Sequence, residues 1–188
     1  QLNFGIEFMF WTLWLACSKL YCTWYVAGKF HRGTMKLDIT FGLPMLFLLD
    51  LFHDVSMFPD SVWDIPQQIV TLALLYDVWF YHGHRLLHTR WLKRIHSIHH
   101  NEPMHPSSGL YSHPLEYVLV FVGPALFLPW WLGYSWFVTW LWICGAVTNA
   151  AQAHTPGKTI HTLHHEWGNV NYGATELFDR LWGTFQPL

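Results

Sequence analysis

Charge is scarce in this chain. Only 12% of its 188 residues are charged and the formal net charge is −2, about half the usual charged fraction of roughly 25%. No long basic run occurs, which argues against nucleic acid as a partner. Cysteine is scarce too. Cys17, Cys22 and Cys144 are odd in number, widely spaced and form no CxxC pair, which argues against a disulfide framework, and they read as small buried hydrophobes. The sequence has no P-loop, GxGxxG, nucleophile elbow or EF-hand pattern. It also lacks solenoid-length repeats and low-complexity tracts.

The longest absence is the most informative. No Asp, Glu, Lys or Arg occurs in residues 117–157, a run of 41. That is too long for one membrane crossing and fits two of about 20 residues each. The PWWLG stretch at 129–133 is a plausible turn, with 117–128 and 134–150 as the arms of a helical hairpin. What fills the chain instead of charge is apolar: 52% hydrophobic, 19% aromatic, with 13 tryptophans, a profile suited to lipid with aromatic belts at the interfaces. Three earlier segments are apolar: 8–28 with Lys19 in its middle, 39–58 interrupted by Asp50 and Asp54, and 66–81 with Asp77 near its end. Charges in such segments usually face the bundle or water. We therefore expect an all-α, integral-membrane helical bundle of four to five apolar segments, a single domain over 1–188 with N-terminal membrane helices in 1–76. Five crossings put Lys29, Arg32 and Lys36 on the same side as Arg85, Arg90, Lys93, Arg94 and Lys158, with Asp60 and Asp64 opposite. The positive-inside rule makes the basic side cytosolic.

Eight of the 14 histidines fall into three clusters: His84 and His88 (HxxxH), then His96, His99 and His100, then His161, His164 and His165 (both HxxHH). One HxxHH arises by chance roughly 0.08 times in such a chain by template counting, so two demand a reason. Positions i, i+3 and i+4 share a helix face, and imidazole is the commonest metal ligand. An even number of crossings between the second and third clusters returns the chain to the same side, where they can meet. Eight nitrogens are too many for one tetrahedral ion and suit two ions of about four ligands each. Ligation by nitrogen without thiolate allows iron, zinc, copper or nickel. Among these, iron is the one whose usual chemistry at such a site is oxygen activation. GHRLLH is not HExxH, which argues against a zinc peptidase. Metal-bound imidazoles usually donate their second N–H to a carboxylate or carbonyl. Asp77, two turns before His84 on the same face, is a candidate partner, as are Glu116 and Asp179. His82 faces away from His84, and His31, His53 and His105 sit in isolated contexts, so none of these is expected to ligate.

The stretches DVWFYHGHRLLHTRWLKRIHSIHHNEPMHPSSGLYSHPLE (77–116) and HTLHHEWGNVNYGATELFDRLWGT (161–184) resemble the fatty acid hydroxylase superfamily of integral-membrane di-iron oxygenases. SHPLE, GPAL, TWLW and QAH look most like its methylsterol monooxygenase branch. The resemblance covers 77–184 as a family core. It implies a membrane bundle capped on the cytosolic side by a di-metal site, and it adds His154, the lone histidine after the hairpin, and His113 in SHPLE as candidate ligands. Asn171, Tyr172 and Gly173 match the family's NYG. One departure stands out: only residues 155–160 separate His154 from His161, where methylsterol monooxygenases carry a longer segment, so the resemblance leaves open whether the lipid is a sterol, a fatty acyl chain or a related one.

The expectation is an O2-dependent oxidoreductase hydroxylating or desaturating a lipid C–H bond, with two Fe ions (zinc possible as purified) and O2 as co-substrate. Partners are the lipid, the membrane and an electron donor such as cytochrome b5 or a reductase, since no haem or flavin motif is present. The resemblance implies the endoplasmic reticulum; a mitochondrial or bacterial membrane also fits. The rival reading is an accessory subunit of a membrane complex that retains fold and metals, which the short 155–160 loop and compact length favour.

Overall fold

Apolar runs with helical periodicity become helices throughout. The computed structural model describes residues 2–51, 56–157 and 159–188; His53, Asp54 and Lys158 lie outside them. Helix α1 (Leu2–Ala27) is followed by α2 (Arg32–Leu37), a π-helical turn (Asp38–Gly42) and α3 (Leu43–Leu51). A 3-10 turn (Val62–Asp64) leads into α4 (Ile65–Leu87), then α5 (Lys93–His100). After a 3-10 turn at Pro106–Ser108 come α6 (Pro114–Glu116), a second π-helical turn (Tyr117–Phe121) and α7 (Val122–Trp131), which form one continuous apolar helix. Then follow α8 (Trp136–Ala153), α9 (Ile160–Trp167) and α10 (Leu177–Trp182). No strand occurs among the described residues.

Helix α4 shows how the sequence places the histidines. Its buried residues are Leu72, Asp77, Phe80, Tyr81, His84 and Leu87, the spacing of one helix face. The stripe that packs the core therefore runs straight into His84. Pro66 sits in the first turn, where the missing N–H breaks no intrahelical bond. Helix α4 lies against α7 and α8, and α1 lies along α8, with Trp140 Nε1 donating to Ser18 Oγ at 2.9 Å. Trp79 Nε1 and Tyr76 OH of α4 donate to the Leu119 and Phe121 carbonyls of the second π turn, at 2.9 and 3.3 Å.

The hairpin is present, but its turn lies later than the PWWLG stretch suggests. Pro129 is inside α7, and the chain reverses over 132–135, where Gly133 takes φ +68°, a conformation glycine adopts without strain. A proline in a helix deprives the carbonyl four residues back of its partner. Here that carbonyl is Ala125, and Trp142 Nε1 of α8 donates to it at 3.1 Å. The tryptophan across the hairpin repairs the break, so the helix continues.

One helix among the described residues, Pro114–Trp131, is long and apolar enough to cross a membrane. The other expected crossings are helical over much of their described length, but the continuous run of α2, the first π turn and α3 carries Arg32, Lys36, Asp38 and Asp50, and α4 carries Asp77, His84 and Arg85 in its second half. The cysteines are free; Cys17 is exposed rather than buried, and Cys22 and Cys144 are half-buried.

Candidate metal centre

Nine imidazoles from four places meet at one end of the bundle. The C-terminal turns of α4 bring His84 and His88, α5 brings His96, His99 and His100, the end of α8 brings His154, and α9 brings His161, His164 and His165. Thr159 holds the short 155–159 connection closed. Its hydroxyl donates to Ala153 O at 2.6 Å and accepts from Thr162 N at 3.2 Å, capping α9. The His154 and His161 rings consequently lie 4.6 Å apart.

The nine fall into two groups: His84, His88, His96, His100 and His164; and His99, His154, His161 and His165. Within each, one ligand atom per residue lies within 4.8 Å of every other. The boxes do not map one to a group. On α5, His96 and His100 join the first and His99 the second; on α9, His164 joins the first and His161 and His165 the second. Each HxxHH triad straddles both.

The nitrogens are polarised. The Nδ1–H of His84 donates to Tyr172 O (2.7 Å), of His99 to Tyr111 O (2.8 Å), of His154 to Ala150 O (2.8 Å) and of His164 to Val170 O (2.7 Å). His96 Nδ1 pairs with Glu116 Oε1 at 2.7 Å. A carbonyl only accepts, so in His84, His99, His154 and His164 the proton sits on Nδ1. A neutral ring then presents a bare lone pair at Nε2. These lone pairs converge: Nε2 to Nε2 distances are 3.0 Å for His84–His96, 3.1 Å for His88–His164 and His100–His164, and 3.2 Å for His99–His154. Among the described residues, the buried Nε2 atoms of His161 and His165 have no hydrogen-bond partner.

Facing lone pairs need a cation between them. Protons are a poor choice. Burial, reinforced by neighbouring imidazoles, pulls His84, His99, His161 and His164 well below the usual histidine range. It brings His88 and His154 down to about 4. Metal ions fit: two nitrogens at right angles on an ion about 2.1 Å away stand about 3.0 Å apart.

The carboxylates divide by role. Glu116, fully buried, touches His96 directly. Asp179 does not reach an imidazole. It accepts from Tyr172 N (2.8 Å), Gly173 N (2.7 Å) and the Thr184 hydroxyl (2.7 Å), and so fixes the turn whose Tyr172 carbonyl receives His84. Asp77, expected beside His84, instead accepts from Thr175 N at 2.9 Å and holds the same turn from its other side. A Cβ on Gly173 would lie 2.3 Å from Thr175 O and 2.8 Å from Asp179 Oδ2, which is why glycine stands there. Asn171, at φ 53°, donates to Ile160 O and Gln186 O, each at 3.0 Å, and pins the NYG segment between α9 and the last residues.

The structure does not bring His113 to either group. Its Nδ1 accepts from Leu115 N at 3.1 Å and caps α6. His31 and His105 likewise cap α2 and the 106–108 turn, and His82 is exposed. The residues that sequence reasoning missed are the backbone acceptors at Tyr111, Ala150, Val170 and Tyr172. Of these, only Tyr172, within NYG, carried a signal.

A cavity of about 610 Å³ opens beside the centre, bordered by His84, His99, His154 and His161 and walled by Phe80, Phe121 and Trp142. Among the described residues, helices alone converge nine imidazoles into two nitrogen-rich groups that could each hold a metal ion, beside a lipid-sized cavity. The chain belongs to the fatty acid hydroxylase family, whose model matches residues 69–184. It is 34% identical over 156 residues to very-long-chain aldehyde decarbonylase GL1-11 of Oryza sativa subsp. indica, covering 69% of this chain and 56% of that protein. It is 33% identical over 188 residues to methylsterol monooxygenase 2-2 of Arabidopsis thaliana, covering 84% of this chain and 68% of the relative. A putative methylsterol monooxygenase of Dictyostelium discoideum is 32% identical over 165 residues, covering 76% and 61%. The chain thus spans little more than half of the rice relative's length. No solved structure matches.

Proposed function

We propose that this protein is an O2-dependent oxidoreductase that hydroxylates or desaturates an unactivated C–H bond of a lipid, using two iron ions. The observation that carries this reading is the facing Nε2 atoms, opening onto a largely apolar cavity. His84, His88, His96, His100 and His164 would hold one ion; His99, His154, His161 and His165 the other. Bound iron would supply the redox chemistry of O2 reduction.

The chain's own residues do the rest. Carbonyls at Tyr111, Ala150, Val170 and Tyr172, with Glu116, keep the rings in the tautomer that offers Nε2. Phe80, Phe121 and Trp142 position an apolar substrate against His84, His99 and His161 and keep water from the reacting carbon. Arg85, Arg90, Lys93 and Arg94 are exposed around the α4–α5 connection, next to the first group. They form a basic surface for an acidic electron donor such as cytochrome b5 or a reductase, and they place that face toward the cytosol. The relatives are named for methylsterols and for very-long-chain aldehydes and differ in reaction, which supports a lipid as the substrate class. The family's membrane setting and the Pro114–Trp131 helix support an integral-membrane protein, with the endoplasmic reticulum as its proposed location.

The test is metal analysis joined to lipid profiling. Purified protein given reductant and O2 should hold two metals per chain and convert a lipid into one differing by one oxygen or two hydrogens. Fewer than two metals, with an unchanged lipid profile, would overturn the proposal. Full metal content with an unchanged profile and stable co-purification in a larger assembly would favour the accessory-subunit reading.

A further inference from the structure

A second polar cluster lies away from the histidines. Lys19 Nζ donates to Asp38 Oδ1 and, at 3.1 Å, to the Tyr117 hydroxyl, which itself donates to Asp38 Oδ1. Tyr117 is fully buried, while the Lys19 and Asp38 side chains retain 13% and 17% exposure. Asp38 and Tyr117 each open a π-helical turn, a distortion that concentrates at functional sites. Gly42 belongs to the construction: a Cβ there would stand 3.0 Å from the Tyr117 hydroxyl.

Lys19, Asp38 and Gly42 help line a second cavity of about 110 Å³, otherwise apolar and free of histidine. It is too small for a whole lipid, since ligand pockets usually measure about 300–1,000 Å³. Tyr76, Leu110, Phe121, Ala146 and Ala150 line both this cavity and the 610 Å³ cavity at the histidines. The two cavities therefore adjoin at these five side chains, and the small chamber lies where one end of a lipid held in the large one would arrive.

Donor counting chooses which end. An ammonium has three donors, and two are used. Both bonds to Asp38 end on Oδ1, and among the described residues no hydrogen bond ends on Oδ2. The ammonium and carboxylate neutralise each other, so a carboxylate head would add an unpaired buried charge. An alkyl end would leave the spare donor and acceptor unmet. A hydroxyl accepts from Lys19 and donates to Asp38.

We propose that Lys19 and Asp38, held in place by the Tyr117 hydroxyl, form a binding site for the hydroxyl head of a lipid alcohol. Taken with the proposed lipid oxidation, on which only this consequence rests, the carbon attacked is remote from that hydroxyl, because the head sits where no histidine reaches.

Direct binding of radiolabelled hexadecanol, hexadecanoic acid and hexadecane to the detergent-solubilised full chain tests this without turnover. The alcohol should bind at least about tenfold more tightly than the alkane or the acid. The double substitution Lys19→Met/Asp38→Leu strands no charge; it should abolish the alcohol preference while alkane binding and metal content persist. Should that variant fail to fold, Gly42→Ala, which presses on the Tyr117 hydroxyl, should lower the alcohol-to-alkane ratio with helix content intact. An alcohol preference that survives either folded variant, or tightest binding of the acid, would overturn the proposal. Loss of lipid oxidation with the binding ratios intact would count against the proposed activity alone.

Discussion

His99 Nε2 and His154 Nε2 face each other at 3.2 Å, and each ring already donates its Nδ1–H to a backbone carbonyl. Two neutral imidazoles so committed cannot hydrogen-bond to one another. The pair lies in the second group, and a cation there would satisfy both. Replacing His154 by Ala should therefore remove the ion of that group alone, leaving about one metal per chain. His88→Ala should remove only the other. Metal analysis of the two folded variants checks this; loss of both ions in each would mean that the groups act as one site.

Glu116→Ala takes away the only carboxylate that, among the described residues, touches a histidine of the centre, His96. Metal affinity of the first group should fall by about 10–100-fold, with helix content unchanged by circular dichroism. Glu116→Gln, which keeps an acceptor oxygen, should lose less. Equal losses in both variants would show that the carboxylate's oxygen is not what orients His96.

Asp179→Ala leaves two backbone N–H groups and the Thr184 hydroxyl without their acceptor. The Thr184 hydroxyl keeps its Tyr81 partner, so at about 1–3 kcal/mol for each of the two backbone groups left unpaired the fold should lose ~2–6 kcal/mol, read as a lower denaturant midpoint. Because the same turn presents Tyr172 O to His84, metal retention should fall with it. A variant of wild-type stability would contradict this placement.

The centre should also make the metal-free protein sensitive to acid. The buried rings have folded-state pKa values below the unfolded value of about 6.5, with His88 and His154 near 4. Below about pH 6.5 the unfolded chain binds more protons than the folded one, so stability is complete above that value and declines as pH falls toward 4. Thermal midpoints measured from about pH 8 down to about pH 5 should drop, and bound metal should lessen the drop at the upper end of that range. A flat profile would contradict the burial of these rings as neutral groups.

Much of this was legible in the sequence. The histidine boxes stand out because no ordinary core needs imidazole at that density, and their helices follow from spacing. Which histidines share a group was not legible, because it depends on how the imidazoles of α5 and α9 meet and split each HxxHH between two groups. The hairpin turn was misplaced because Pro129 reads as a helix stop, and only the fold supplies the Trp142 indole for the Ala125 carbonyl. The roles of Asp77 and Asp179 were hidden for a similar reason: they act on the 172–175 turn, and a carbonyl acceptor carries no residue identity. The Lys19–Asp38–Tyr117 cluster joins positions up to 98 residues apart and left no local pattern.

The most direct measurement is X-ray absorption with metal quantification on iron-loaded protein. Two ions per chain are expected, each surrounded mainly by imidazole nitrogen, with that signal lost stepwise in His154→Ala and His88→Ala. One ion or none per chain, or a shell dominated by sulfur, would contradict that expectation.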